Sequence, residues 1–263
     1  MTRRWSLITL IAVLAVALAL VVTYLVVGGG ESENKASGTE SAAPGGGKTE
    51  AEEDNTPGLQ GTGWWPLHQS GTGRAGEHDV VFNGATQWTN GPNGGALRLD
   101  GKKAYGNAGD KVIDTAGKDY SVAARVRLSG DLNGFRTAVS QDSKSVSAFF
   151  LQYSGADERF AFSFSGARAL ADKAGKPEAD HWYHLTATYS QKDRQMRIYV
   201  DGELAGSRQA TNQNKPEGPL VIGRGQSGGK PVDFWKGDIA DVHVYDRALS
   251  ADETKTLSEG EPE

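Results

Sequence analysis

The 263-residue chain contains no cysteine, which excludes disulfides and thiolate metal sites. A domain without disulfides must rest on its own core, and the roughly 200 residues beyond the N-terminal segments are enough to supply one. The absence also suits a bacterial surface protein better than a small secreted eukaryotic one, where disulfide frameworks are common. Basic excess is missing too. The net charge is -5; Glu31 to Gln60 carry -5 and Arg3 and Arg4 carry +2, which leaves -2 from Gly61 onward. Such a domain has no field to gather nucleic acid phosphates, so nucleic acid is excluded as a partner. Long amphipathic helical patterns are absent as well, which argues against βαβ units. No Walker-type phosphate loop occurs. No Gly-x-Ser-x-Gly nucleophile elbow is expected, and the Gly-rich stretch Gly223–Gly229 follows a strand pattern and precedes no helix. It reads as a mobile loop, the kind of segment that carries binding residues.

One long apolar run is present. Leu7–Val27 is 21 residues without a charge. At ~1.5 Å per residue it spans about 30 Å, enough for a bilayer core. Arg3 and Arg4 precede it, which places the N-terminus in the cytoplasm and the rest of the chain outside. The alternative, a cleaved signal peptide, has a shorter apolar core and a small-residue cleavage site, which Tyr24-Leu25-Val26-Val27-Gly28 does not offer. The reading is a single-pass signal anchor over residues 1–30 and a cell-membrane location. Residues 31–61 are Gly-, Ser- and Glu-rich, with Leu59 and a few alanines as their apolar content. They read as a disordered acidic linker. A folded domain over 62–258 and a short tail over 259–263 complete the chain.

Within the domain, short runs alternate with period two: 96–100, 120–128, 160–164, 185–189 and 196–200. This predicts strands with one buried and one solvated face. Turn dipeptides punctuate them. Asp201-Gly202 predicts a type I′ hairpin, and Asp100-Gly101 and Asn133-Gly134 mark further turns. Ser250-Ala251-Asp252-Glu253 is a capping box that opens a short helix through Leu257. The fold class is all-β, a sandwich of two antiparallel sheets.

The chain resembles the laminin G-like domains of the concanavalin A-like lectin/glucanase superfamily. The resemblance is carried in order by Trp65-Pro66-Leu67, 94–101, 120–126, 181–189, 196–202, Pro219–Gly223 and 237–250. It implies a jelly roll, and it implies binding of glycans or proteins, or a structural role. Glucanases of that superfamily place acids as Glu-x-Asp-x-x-Glu or Glu-x-Asp-x-Glu, which the domain lacks, so no catalytic residue is assigned. Many members hold a structural calcium with an acid in Gly-x-Ile-Asp-Asp/Glu-Val. Here Gly237–Val242 reads Gly-Asp-Ile-Ala-Asp-Val, with Ala240 at the first acid. Alternation turns Asp241 to the other face, which speaks against calcium, and no cofactor is assigned. His181 and His184, three apart, point to opposite faces of a strand and form no metal pair.

Glycan binding needs aromatic platforms and a few polar groups. Phe135, Arg136, Arg224 and Trp235 are the ligand-binding candidates, with Trp64 a further aromatic. The resemblance places Trp235 and Trp182 in the core, which weighs against either as a platform. The expected function is a membrane-anchored, non-catalytic module for cell-wall or extracellular glycan. A surface protein as partner is the alternative, and a glycoside hydrolase the third.

Overall fold

The computed structural model describes residues 59–260 apart from 77, 165, 211 and 212. The apolar run Leu7–Val27 and the acidic segment up to 58 lie outside the described residues. Among the described residues no helix is long and apolar enough to cross a membrane.

The alternating runs pair into two antiparallel sheets. The first has eight strands, in the order β13 (Glu203–Gln209), β12 (Gln195–Val200), β11 (Trp182–Ser190), β6 (Tyr120–Leu128), β17 (Lys236–Tyr245), β4 (Ala96–Asp100) and β3 (Gln87–Thr89). The eighth, β1 (Gly63–Trp65), pairs with the later half of β17. The second sheet has seven: β10 (Ala167–Leu170), β9 (Arg159–Phe164), β8 (Phe149–Ser154), β7 (Arg136–Ser143), β14 (Pro216–Ile222), β5 (Tyr105–Asn107) and β2 (Val81–Asn83). A small hairpin, β15 (Gly225–Ser227) with β16 (Lys230–Val232), joins β14 to β17. This all-β two-sheet sandwich is consistent with the predicted jelly roll.

The core lies between the sheets. Val122, Ala124, Val126 and Leu128 of β6 and Leu185, Ala187 and Tyr189 of β11 share it with alternate residues of β8 and β9. Tyr120 anchors an aromatic group, with ring centroids 5.7 Å from Phe149, 6.0 Å from Phe162 and 5.7 Å from Tyr189. Each such buried ring contributes on the order of 1.5–3 kcal/mol. The Asp201-Gly202 turn has φ of 50° and 80°, the pair of positive values a type I′ turn demands.

The outer face of the first sheet is not simply solvated. Helix α1 (Ala251–Glu259) packs on it, opened by the predicted capping box: Glu253 N–H donates to Ser250 Oγ at 3.2 Å, and Ser250 N–H to Glu253 Oε2 at 2.7 Å. Ala123, Tyr245, Leu249 and Leu257 form a second apolar cluster there, joined by Leu59. Leu59, read as linker, is therefore part of the folded unit.

β17 carries one extra residue opposite β6 between Ala240 and His243. Asp241 takes a φ of 53° at this bulge. The bulge overturns the alternation argument: Asp241 lies on the outer face, as Ala240 does, because the extra residue resets the period. Its carboxylate accepts from Trp64 Nε1 at 2.8 Å and pairs with Arg125 at 3.4 Å and His243 at 3.0 Å. Burial pushes its pKa up, but His243, Trp64 and Arg125 outweigh that and hold it below the usual carboxylate range. Arg125 also donates to the Ser258 carbonyl of α1 at 2.9 Å.

Beside Arg125 sits His184, 2% exposed, with neither ring nitrogen hydrogen-bonded. Burial, then the charge of Arg125, push its pKa down to about 3, against the pull of Asp241. The imidazole is neutral when folded and takes up a proton near pH 6.5 when unfolded. Its stabilising effect is complete above about pH 6.5 and is lost as the pH falls from there toward 3. At pH 5 the loss from this residue is about 2 kcal/mol. Urea unfolding of the wild type and His184→Phe at pH 7 and pH 5 checks this. The variant is expected to lose less stability between the two, and equal losses would show that His184 is not held neutral.

Candidate functional site

A cavity of about 400 Å³ opens where β3, β4, β17 and β6 end, on the outer side of the first sheet. Ala85, Gln87, Arg98, Asp100, Ser129, Asp180 and Lys236 line it, with backbone from Leu99 and Gly237. Gln87 and Arg98 are cross-strand partners and so stand side by side. Asp180 adopts a φ of 59°, which a short polar side chain tolerates, and its N–H donates to the Leu128 carbonyl at 2.7 Å. That bond holds its carboxyl at the cavity rim beside Ser129, whose own N–H is bonded to the Lys236 carbonyl at 3.0 Å. Asp100 is spent on its turn, accepting from the N–H groups of Lys102, Lys103 and Ala104 at 2.9, 3.0 and 3.0 Å. Burial raises its pKa, and these three bonds bring it below the ordinary value. Lys236 pairs with Asp131 at 3.2 Å.

Arg98 is fixed from behind. Its Nε and Nη2 donate to the two oxygens of Asp238, at 2.7 and 3.1 Å, and Arg127 Nε donates to the same carboxylate at 2.7 Å. Asp238 is fully buried, and that hydrogen bond raises the Arg98 pKa. Among the described residues, the Asp180 carboxylate, the Gln87 amide and the Ser129 hydroxyl have no hydrogen-bonded protein partner, and Arg98 keeps Nη1 unengaged. Donors and acceptors thus converge on one opening without being consumed by the protein. None of these residues was a sequence candidate. The signal for Arg98 and Arg127 lay in the strand alternation, which turns both outward; what joins them to Asp180 and Gln87 is cross-strand register, which spacing along the chain does not reveal.

The four sequence candidates do not meet in this cavity. Phe135 and Arg136 lie at the start of β7 on the other sheet. Phe135 is half-buried under the guanidinium of Arg168, 5.1 Å from its ring, and Arg168 is held there by Asp157 at 2.6 Å. Arg136 donates to the Phe135 carbonyl at 2.9 Å. Trp235 is a correction: it is fully buried in the main core and offers no platform. Its backbone N–H donates to the Gly223 carbonyl at 2.8 Å, so the chain enters β17 with the ring already between the sheets. Trp182, placed in the core by resemblance, is half-buried on the outer face, 4.9 Å beneath the Arg127 guanidinium. Alternation with Tyr183 and Leu185, which pack inward, dictates that position. Trp64 has His243 stacked on it at 5.4 Å and Arg74 over it at 5.6 Å.

Arg224 is a correction too. Its side chain is 7% exposed, bonded to both Asp142 oxygens at 2.6 and 2.9 Å, with Tyr105 4.8 Å away across its face. It is a pin rather than a ligand contact. The Gly-rich stretch expected to be a mobile loop is the β15–β16 hairpin, laid over β7: a Cβ on Gly225 would come within 2.6 Å of the Phe150 ring. Gly225-Gln226-Ser227-Gly228-Gly229 has the letters of a nucleophile elbow, but it forms a hairpin rather than a strand-to-helix turn. Removing one partner of a buried pair strands the other charge and costs about 3–5 kcal/mol. Arg224→Ala is therefore expected to lower the melting temperature and to make 225–232 the first site of limited proteolysis. An unchanged cleavage pattern would show that the pin does not hold the hairpin.

His181 is exposed and packs against Tyr183 at 4.7 Å, while His184 is buried. Among the described residues no three His, Asp or Glu side chains are placed to share a cation. The calcium that the superfamily implies does not fit at Asp241, whose carboxylate is engaged by Trp64, His243 and the cationic Arg125.

The chain is 30% identical over 89 residues to a sushi, von Willebrand factor type A, EGF and pentraxin domain-containing protein of Rattus norvegicus, which is 31% of this chain and 2% of that protein. It is 34% identical over 77 residues to the neuronal pentraxin receptor of Mus musculus, 27% of this chain and 16% of the receptor. The chain thus spans a small fraction of either relative. Domain 4 of AbnA, a GH43 extracellular arabinanase from Geobacillus stearothermophilus, in complex with arabinotriose, superposes with a TM-score of 0.62 at 17% identity, covering 76% of this chain and 98% of that domain. A Trypanosoma rangeli sialidase in complex with the inhibitor DANA superposes with a TM-score of 0.55 at 16% identity, covering 74% of this chain and 32% of the sialidase. At these identities the likeness is one of fold. The laminin G-type family model matches residues 100–255, and with the two-sheet sandwich in view the chain belongs to the concanavalin A-like lectin/glucanases superfamily.

Proposed function

We propose that this protein is a non-catalytic glycan-binding module, held outside the cell by the anchor Leu7–Val27. The observation that carries the reading is the cavity of about 400 Å³ in which Gln87, Arg98, Ser129 and Asp180 converge without mutual satisfaction. Sugar hydroxyls both donate and accept, so a pocket that mixes an amide, a guanidinium, a hydroxyl and a carboxylate suits them. The fold likeness to an arabinanase domain in complex with arabinotriose supports the same class of ligand.

A second reading has its own observation. Val81 is 66% exposed and Trp88 37%, on edge strands of the two sheets, with Phe82 edge-on to Trp88 at 5.3 Å. Such an apolar edge favours a protein partner.

Full-length protein in detergent, applied to a glycan array and to isolated cell wall, separates the two. The expected outcome is saturable binding to a defined sugar, weakened about tenfold by Asp180→Ala or Gln87→Ala, each with an unchanged melting temperature. Binding that ignores both substitutions but fails with Trp88→Ala would move the function to the apolar edge. No binding to any glycan would sink the first reading.

A further inference from the structure

The cavity is one end of a longer feature. Cross-strand register puts Gln87 opposite Arg98, Arg98 opposite Asp238, Asp238 opposite Arg127, and Arg127 opposite Trp182. These five residues form one row across β3, β4, β17, β6 and β11 on the outer face. Four strand intervals of ~4.8 Å make the row about 19 Å long. Resting on the glycan reading, we infer that the ligand is an internal stretch of a neutral polysaccharide laid along this row, not a single terminal sugar.

The row is organised around one carboxylate. Asp238, fully buried, accepts three guanidinium bonds and so fixes the two arginines beside it. Both arginines remain reachable, with side chains 47% and 23% exposed. Arg127 spends only Nε on Asp238, and its terminal nitrogens have no hydrogen-bond partner among the described residues. Its guanidinium also lies over Trp182, which is half-buried at the end of the row. The far end thus repeats the cavity's equipment, unengaged donors at fixed positions, and adds an aromatic ring. The next outward position on β6, Arg125, is closed by its bond to Ser258 of α1, so the helix end bounds the row on that side.

Charge selects the ligand class. Arg98 and Arg127 are balanced by Asp238 and Asp180, and Lys236 is matched by Asp131. A charge-balanced row that offers guanidinium donors along its length, with the Gln87 amide and the Asp180 carboxylate as acceptors at the cavity end, suits hydroxyls and gives no preference to a polyanion. An ion ladder that served only to hold the sheet would need neither the open nitrogens nor the ring.

The test is calorimetric titration of the full-length protein with two neutral size series, arabinose to arabinohexaose and glucose to cellohexaose. In the series that binds, affinity is expected to rise over the first few units and level off once the chain reaches about 19 Å. Trp182→Ala is expected to weaken the longer oligomers about tenfold while leaving the shortest ligands within about twofold. Arg127→Lys, which keeps the charge but loses the planar fork, is expected to do the same and guards against misfolding of the first variant. Asp180→Ala weakens every length. Raising the salt from about 50 to 500 mM is expected to change Kd by less than about twofold. Affinity independent of length, equal losses at all lengths for both variants, or strong weakening by salt would each overturn the inference while leaving glycan binding intact. Absence of binding at any length in either series would overturn the inference, and the glycan array and isolated cell wall then decide the glycan reading separately.

Discussion

Two arginines on β6, Arg125 and Arg127, are two residues apart and so share the outer face of the first sheet. The acids that meet them on β17, Asp238 and Asp241, are three apart, and a regular strand would turn them to opposite faces. The single extra residue at Ala240–Asp241 removes the conflict. With it, Asp238 pairs with Arg127 at 2.7 Å and Asp241 with Arg125 at 3.4 Å. Buried pairs of this kind contribute little net stability, because desolvation offsets most of the attraction, but breaking one costs several kcal/mol. They act on register. A slip of β17 against β6 by one residue would strand both carboxylates.

Most of what surrounds the first sheet follows from that register. Beyond the bulge, Asp241, His243 and Tyr245 face outward and receive Trp64 of β1, while Arg125 ties the end of α1 to the sheet. The outer face is thereby covered at this end, and His184 is buried there. Before the bulge, Asp238 faces the same way, and among the described residues no helix covers it. The arginines it holds stay accessible, and the cavity opens beside them. One inserted residue divides the face into a closed half, which secures β1 and α1, and an open half suited to recognition.

The second sheet manages its outer face differently. β7 reads as polar, Arg-Thr-Ala-Val-Ser-Gln-Asp-Ser, and gave no strand signal, yet its central residues are buried on both sides. Apart from the Thr137 hydroxyl, which is buried without a hydrogen-bond partner, the polar groups are consumed locally. Gln141 exchanges bonds with the backbone of Ile113 at 2.8 and 3.2 Å, Ser140 donates to the Arg224 carbonyl at 2.8 Å, and Asp142 receives the Arg224 fork. A buried strand can be polar when most of its groups find partners, and hydrophobic alternation is then the wrong place to look for it.

The elements legible in the chain alone are those whose cause is local. Alternation placed β4 and β6 at their observed bounds, Asp201-Gly202 had to be a tight turn, and the Ser250–Glu253 box had to open a helix, because each rests on neighbours within a few residues. Resemblance added the superfamily and the buried place of Trp235. Tertiary structure alone decided the rest: that Arg224 is a pin, that Asp241 faces outward, that Trp182 stands on the surface, and that Gln87, Arg98, Ser129 and Asp180 share an opening. The physical reason is common to all of them. A strand's own sequence determines which residues lie on the same face, but a bulge or a hairpin folded across a sheet changes what that face meets, and only cross-strand register brings distant residues into one site.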